Sequence, residues 1–261
     1  MIESYIRKRR EKKDILLMTH IVVGYPSMEA SFQMVETMVR AGVDLMELQI
    51  PFSEPIADGP VILKANQVAL RQGATVEDCL KFAEKAARRF DIPFLLMTYY
   101  NIPFVYGIAE FVANMGKRMC RGAIIPDLPP EEGEAYLEAM KKEGLDPILI
   151  FSPTTSLKRM SYLESIGRGF IYCVARKGVT GQETAFSRDL DRYLDQCRKA
   201  TTLPLAVGFG VKEKEDIDFL KGKVDIAVIG SQTIRVLDEG GLARVDEFIR
   251  ALNPTHEKVM L

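Results

Sequence analysis

The sequence predicts an α/β protein folded as one closed barrel of eight parallel strands, and three observations lead to this fold class. Eight short apolar, β-branched runs recur along the 261 residues. Amphipathic helical stretches separate these runs, which is typical of a parallel sheet covered by helices. A length near 250 residues is usual for a single (β/α)8 barrel, or TIM barrel. A doubly wound open sheet is the alternative, and no linker or low-complexity tract divides residues 1–261 into separate domains.

The elements follow one another in a regular order. The continuous apolar runs predict strands at residues 16–23, 43–50, 94–98, 122–125, 147–151, 170–174, 204–207 and 226–229. The amphipathic stretches between them predict helices at residues 28–41, 61–71, 76–90, 108–117, 131–143, 157–165, 188–200, 213–220 and 242–251. The second strand is followed by two helices rather than one. Ahead of the first strand, the basic residues 7–13 and the apolar run that follows them loosely resemble a signal peptide. Gly24-Tyr25-Pro26 is not a small-residue cleavage site, however, so we expect the basic residues to form a short, solvated N-terminal helix instead.

Composition excludes several classes of function. Thirty-five Lys and Arg residues against 36 Asp and Glu leave a formal charge of -1, so no global basic field favours nucleic acid or a membrane surface. Two histidines are too few for a His-rich metal centre. The cysteines are widely spaced, which indicates reduced thiols and a cytoplasmic protein: Cys79, Cys120, Cys173 and Cys197. No apolar run is long enough to span a membrane.

The second predicted strand carries the most informative residue, Glu47. Side chains alternate between the two faces of a strand, so Val43, Leu45, Glu47 and Gln49 are expected on one face and Met46, Leu48 and Ile50 on the other. If the second set packs against helices, Glu47 points into the sheet interior, where an unpaired charge is costly. A second carboxylate, Asp58, follows in a proline-rich loop. Both are therefore candidates for acid/base chemistry.

Loops after the later strands add a candidate anion site, because ligands of parallel α/β folds bind at the carboxyl ends of the strands. Glycines follow strand 7, in Gly208-Phe209-Gly210, and strand 8, in Gly230-Ser231. Backbone N–H groups at such glycines approach a phosphate closely, and the helix that follows directs its dipole at it. After strand 6, the segment from Gly178 to Gly181 is suited to a mobile flap that closes over a ligand.

The remaining residues narrow the chemistry further. The chain has no histidine cluster for a metal-dependent aldolase, no lysine within a predicted strand for a Schiff base, and no Gly-x-Ser-x-Gly elbow. Two carboxylates opposite a phosphate anchor remain. A glycosidase-like reaction does not account for the phosphate site, so carbon–carbon cleavage or isomerisation by proton transfer fits better.

Five segments together resemble a known family. They are residues 45–60, which read Leu-Met-Glu-Leu-Gln-Ile-Pro-Phe-Ser-Glu-Pro-Ile-Ala-Asp-Gly-Pro, then Tyr99-Tyr100-Asn101, residues 126–132, Gly178-Val179-Thr180-Gly181 and Gly208-Phe209-Gly210. In this order, from about Leu16 to about Phe248, the chain resembles the tryptophan synthase α subunit. The resemblance implies a (β/α)8 barrel that splits indole-3-glycerol phosphate into indole and glyceraldehyde 3-phosphate by a retro-aldol reaction. It implies no metal and no organic cofactor in this chain.

The resemblance also implies roles for single residues. Glu47 falls on the acid/base that moves the proton at indole C3, and Asp58 on the carboxylate that binds the indole N–H. The apolar strand favours a neutral Glu47, whereas the polar loop keeps Asp58 ionised. Substrate contacts are implied for Tyr172 and Phe209 beside the substrate, Ile124 and Phe151 around the indole, Thr180 on the flap, and Gly181, Gly210, Gly230 and Ser231 at the phosphate.

Members of that family bind a β subunit that carries pyridoxal phosphate, in an α2β2 heterotetramer, and pass indole to it. This chain departs from the family at Gln49, where Gly is usual, and at Glu54, where Asp is usual in a loop that faces the partner. Its lead-in before strand 1 is also short for a helix that covers the barrel bottom. The alternatives are a free-standing lyase, a non-catalytic activating subunit, and a barrel in which Glu47 forms only a structural salt bridge.

Overall fold

The structure is a computed structural model that describes residues 2–175, 183–208 and 210–253. Its strands are β1 (Leu16–Val22), β2 (Leu45–Gln49), β3 (Phe94–Met97), β4 (Gly122–Ile124), β5 (Asp146–Phe151), β6 (Ile171–Val174), β7 (Leu205–Gly208) and β8 (Ile226–Ile229). Its helices are α1 (Ile2–Arg10), α2 (Met28–Arg40), α3 (Pro60–Arg71), α4 (Val76–Arg89), α5 (Asn101–Tyr106), α6 (Ile108–Lys117), α7 (Glu134–Glu143), α8 (Leu157–Ile166), α9 (Glu183–Ala200), α10 (Lys214–Leu220) and α11 (Ser231–Leu252).

The eight strands form a closed parallel barrel in sequence order, which confirms the predicted fold class and excludes the open sheet. Closure is made by β1 and β8, where Leu16 pairs with Ile226 and Thr19 with Ile229. The strands were predictable because most of their residues are buried on both faces and are therefore apolar. At this level the sequence pattern and the structure agree.

Three helical segments differ from the prediction. Residues 101–106 form α5, which is short and contains Pro103, so no amphipathic period marks it. The predicted helix at 131–143 is a 3-10 turn at Pro130–Glu132 followed by α7, with Gly133 between them. The last predicted helix is only the second half of α11, which begins at Ser231 and is interrupted at Gly241, where φ is 67° and ψ is −165°.

The apolar side chains form two layers. Alternate strand residues fill the barrel interior, among them Met18, Leu45, Leu95, Ile124 and Ile148. The intervening residues, such as Met46 and Leu48, pack between the barrel and its helices. This arrangement matches the predicted facing of β2, except that Val43 lies in the outer layer. The strand begins only at Leu45, so its alternation does not extend back to Val43.

The N-terminal helix α1 closes the bottom of the barrel. Its Ile2 and Ile6 are fully buried against the interior cluster, so the prediction of a solvated helix holds for one face only. The short lead-in nevertheless reaches the barrel bottom, where Ile2 N donates to Asp146 Oδ2 at 2.9 Å. A buried carboxylate, Asp44, joins this helix to the barrel: it accepts from Arg9, Lys13 and the backbone N–H of Leu17.

The four cysteines are free thiols, and all of them are buried. None of the helices in the described ranges is both long and apolar enough to cross a lipid bilayer.

Candidate active site

Glu47 lies inside the barrel and has a partner that the sequence pattern did not indicate. The parallel register of β1 and β2 places His20 directly beside Glu47. Nδ1 of His20 is 2.9 Å from Oε2 of Glu47, and the two side chains are only 6% and 3% exposed. In the sequence His20 stands out only as an interruption of an apolar run. The available signal was its spacing from Leu16 and Met18, which gives it the same inward facing.

The contact with Glu47 changes the protonation of His20. Burial disfavours the charged imidazole and lowers the pKa of His20, but the hydrogen bond to Glu47 and its negative charge outweigh that effect. The result is a pKa raised above the usual 6.5 for His20. Glu47 therefore has a titratable neighbour, His20, which the expectation drawn from its apolar strand did not include.

Each partner of the pair keeps one polar atom unbonded. Glu47 Oε1 and His20 Nε2 are buried and have no hydrogen-bond partner among the described residues. Buried polar atoms are nearly always paired, because leaving them unpaired costs about 1–3 kcal/mol each. The amide oxygen of Gln49 is also buried and unbonded in the described part of the chain, and Gln49 acts on the imidazole, so Glu47 Oε1 is the atom that indicates a place where a ligand supplies the missing partner.

Asp58 is held at the mouth of the barrel, on the loop between β2 and α3. Its Oδ2 accepts a hydrogen bond from Gln49 Nε2 at 2.7 Å. The backbone N–H of the neighbouring Ala57 donates to the hydroxyl of Tyr99 at 3.1 Å, which ties the loop to the end of β3. Gln49 thus contacts the loop carboxylate, and its amide positions Asp58 rather than Glu47.

Tyr172, on β6, connects the carboxylates to the opposite side of the mouth. Burial raises the pKa of its hydroxyl well above the usual 10, and the negative charges of Glu47 and Asp58 raise it further. The side chain passes close to Gly208 on β7, where a Cβ atom would lie 2.9 Å from the tyrosine oxygen. Gly208 is therefore needed for space rather than for a turn.

An open cavity of about 170 Å³ lies beside Tyr172, at the carboxyl ends of β7 and β8. Gly210 lines it with a φ of 91°, in the left-handed region that favours glycine. Gly230 is the N-cap of α11, so the first N–H groups of this helix, beginning at Ser231, border the same cavity. Such N–H groups and the helix dipole favour an anion. Lys212 and Arg235 add positive charge at the rim.

The structure brings together six of the residues singled out in the sequence: Glu47, Asp58, Tyr172, Gly210, Gly230 and Ser231. Ile124 lies in the same interior cluster as Tyr172. Thr180, Gly181 and Phe209 lie outside the described residues, as does the whole Gly178–Gly181 flap.

The assignment of Phe151 to the pocket is wrong by one residue. Phe151 pairs with Cys173 and packs in the outer layer between barrel and helices. Its neighbour Ile150 pairs with Tyr172 and faces the interior cluster. Since side chains alternate along β5, a single-residue shift moves a side chain through the sheet.

Comparison with known proteins agrees with this geometry. Residues 6–258 match the family model described as tryptophan synthase alpha chain. A relative of that name from Desulforapulum autotrophicum is 65% identical over 252 residues, covering 97% of this chain and all of its own, and one from Syntrophotalea carbinolica is 62% identical with the same coverage. The crystal structure of tryptophan synthase subunit alpha from Legionella pneumophila superposes with a TM-score of 0.87 at 28% identity, covering 96% of each chain. The chain therefore belongs to the tryptophan synthase alpha chain family, whose members are lyases that cleave indole-3-glycerol phosphate.

Proposed function

We propose that the barrel mouth binds indole-3-glycerol phosphate and cleaves it through Glu47 and Asp58 into indole and glyceraldehyde 3-phosphate. The position of Tyr172 carries this proposal. Its side chain lines the cavity at the start of α11, and the charges of both carboxylates act on its hydroxyl. The acid/base groups and the anion cavity therefore share one mouth of the barrel, as a phosphorylated substrate with a reacting carbon requires.

Glu47 is the group that we place at indole C3. In the retro-aldol step C3 gains a proton, the bond from C3 to the side-chain carbon breaks, and its electron pair returns to the ring. The hydroxyl on that carbon loses its proton as the carbonyl of glyceraldehyde 3-phosphate forms. A carboxyl group that is held by a hydrogen bond at one oxygen and is free at the other can donate the proton to C3 and accept the proton of the hydroxyl.

Asp58 is the group that we place at the indole nitrogen. Protonation of C3 develops positive charge on the ring nitrogen, and a carboxylate that accepts the N–H stabilises that charge. The amide of Gln49 holds Oδ2 of Asp58. We place the other oxygen of this carboxylate, Oδ1, at the N–H of the substrate. The phosphate would then occupy the cavity at Gly210, Gly230 and Ser231, together with Gly181, while Ile124, Ile150, Phe209 and Thr180 complete the pocket.

The direct test is indole release from indole-3-glycerol phosphate by the purified chain, alone and with a tryptophan synthase β subunit. Slow turnover that rises strongly with the β subunit would support an α subunit of an α2β2 complex. Brisk turnover without it would support the free-standing lyase, and no turnover in either case would leave only an activating subunit. The four buried thiols are consistent with a reducing compartment, so we place the reaction in the cytoplasm.

Gly208 provides a test of the pocket itself. We expect Gly208→Ala to raise KM for indole-3-glycerol phosphate about tenfold, because the new methyl group displaces Tyr172 toward the substrate. Initial rates over a range of substrate concentration measure this effect. Gly116→Ala, on the remote helix α6 where a Cβ atom meets only ordinary contacts, is the matched control and should keep KM unchanged. An unchanged KM in Gly208→Ala would contradict the placement of Tyr172 at the substrate.

Large apolar side chains near the mouth support a β subunit as partner. Ile56, on the loop that carries Asp58, is 80% exposed, and Phe104 and Val105 on α5 are 64% and 76% exposed. Both segments follow adjacent strands, and the bond between Ala57 and Tyr99 joins them. Exposed apolar side chains in such a group mark an interaction surface.

Val105→Asp tests this surface. We expect it to weaken binding of the β subunit by at least about tenfold, since a buried unpaired charge costs more than 1.4 kcal/mol, and to leave turnover of the free chain unchanged. Titration calorimetry with a tryptophan synthase β subunit measures the affinity. Leu157→Asp, at an exposed leucine on α8, is the matched control. Equal affinity in wild type and Val105→Asp would contradict the proposed interface.

A further inference from the structure

The barrel interior contains a second titratable group in direct contact with Glu47. Nδ1 of His20 lies 2.9 Å from Oε2 of Glu47, and both side chains are almost completely buried. We propose that His20 is a positioning residue that shares one proton with Glu47, orients its carboxyl group, and sets the pH range over which Glu47 works. This inference deepens the proposed lyase function and rests on it.

The unbonded atoms of the pair distinguish this role from a structural salt bridge. A salt bridge that serves only stability is expected to satisfy its buried polar atoms, because each one left unpaired is costly. Here Glu47 Oε1 and His20 Nε2 both lack a partner within the described ranges. His20 therefore fixes one carboxylate oxygen and leaves the other free, which is the geometry that a proton-transferring group needs.

The backbone around His20 keeps the imidazole in place. His20 is the fifth residue of β1 and pairs with Glu47 in the barrel register. On its other side the hydroxyl of Thr233, in the first turn of α11, lies 3.2 Å from the carbonyl oxygen of His20 and donates to that of Gly230 at 2.7 Å. The same helix borders the proposed phosphate cavity. The pair is thus attached to a rigid element of the barrel rather than to a loop.

The groups that face the pair favour a proton on the imidazole. Asp58 adds a second negative charge from the β2–α3 loop, and Gln49 contributes a neutral amide. Tyr172 faces the carboxylates from β6, and its raised pKa keeps its hydroxyl neutral. Tyr99, two residues beyond the end of β3, is neutral for the same reason and lies beside Asp58. The other neighbouring strand, β8, presents only apolar residues, Ile226–Ile229.

The number of protons on the pair is the same before and after one turnover. At rest the pair holds one titratable proton: His20 is an imidazolium with N–H groups at Nδ1 and Nε2, and Nδ1 donates to Glu47. In the reacting complex this proton lies on Glu47, and the imidazole is neutral. Glu47 gives the proton to C3 of the indole ring as the carbon–carbon bond breaks, and then takes up the proton that the substrate hydroxyl releases. Substrate and products balance, and the pair ends with the single proton with which it began.

The pH dependence follows from this count. When the pH rises through the raised pKa of His20, the pair loses its proton and kcat falls. His20→Asn keeps an N–H donor near the position of Nδ1 but cannot hold the shared proton, so we expect the alkaline decrease to move to lower pH while most turnover remains on its acid side. His20→Phe removes the donor too, and kcat should fall by up to about 100-fold with little change in KM, because Glu47 is no longer oriented.

A measurement that needs no turnover tests the shared proton directly. The chain has two histidines, His20 and His256, so nitrogen NMR of labelled protein resolves each imidazole, and His256→Gln assigns the signals. In the wild type we expect His20 to titrate above 6.5, as a neighbour of an ionised carboxylate. In Glu47→Gln burial should prevail, and the pKa of His20 should fall below 6.5.

Two results would overturn this inference while leaving the lyase function intact. One is a wild-type pH profile that His20→Asn reproduces, with only the melting temperature changed. The other is an imidazole titration of His20 that does not respond to Glu47→Gln. Absence of indole release by the wild-type protein with its β subunit would instead refute the proposed function, so the two failures are distinguishable.

Discussion

Replacing Glu47 by Gln is expected to lower kcat for indole release by about 10²- to 10⁴-fold, the usual contribution of a general acid/base. The amide has nearly the same shape as the carboxyl group and its oxygen can still accept from Nδ1 of His20, at the 2.9 Å contact. It cannot take up and return a proton. The substitution therefore removes the chemistry and keeps the packing.

The measurement is single-turnover indole release, with thermal unfolding recorded on the same samples. Glu54→Gln is the matched control: it makes the same change at an exposed position in the neighbouring loop and should leave turnover of the free chain near wild type. The structural alternative for Glu47 predicts the reverse pattern, a lower melting temperature with turnover preserved. Such a result would remove Glu47 from the reaction.

Replacing Asp44 by Ala is expected to lower the free energy of unfolding by about 3–5 kcal/mol, which is typical of breaking a buried ionic network. Asp44 is fully buried and binds two cations, with Arg9 Nη2 and Lys13 Nζ each 2.9 Å from Oδ1. Its Oδ2 also accepts from the N–H of Leu17 at 3.0 Å, a buried donor that would lose its partner. The same change releases the chain that follows α1 from the barrel.

Urea unfolding followed by circular dichroism measures this loss. The control is Asp246→Ala, which breaks a partly exposed pair with Arg250 on α11 and should cost less than about 1 kcal/mol. If Asp44→Ala were no more destabilising than Asp246→Ala, the attachment of α1 would depend on its other contacts, among them the buried Ile2 and Ile6 and the hydrogen bond from Ile2 N to Asp146.

Local patterns were sufficient for the parts of this protein in which a residue's environment depends on its own strand. Continuous apolar runs located the eight strands, and alternation along β2 placed Glu47 on the inner face with Leu45. The glycines after β7 and β8 located the cavity at the start of α11. Each of these conclusions needs only a strand, a turn or a helix start, and such elements are encoded within a few residues.

The same patterns gave wrong predictions where the result depended on which residues of a strand face inward or on where an element begins. Phe151 and Ile150 differ by one position, and only the observed pairing of Ile150 with Tyr172 shows which of them faces the interior. Val43 was assigned to the wrong layer because the strand begins two residues later. The helix α5 was missed because six residues with a central proline show no period.

What the sequence determined by itself is the barrel, the inward carboxylate of β2, the loop carboxylate Asp58 and the glycines of the cavity at the start of α11. Only the tertiary structure decided which groups these residues contact. His20 and Glu47 are 27 positions apart, and Gln49 reaches Asp58 across the start of a loop. Their contacts depend on the register between β1 and β2 and on the path of the loop. Both are set by packing over the whole barrel, which no single segment of the chain encodes.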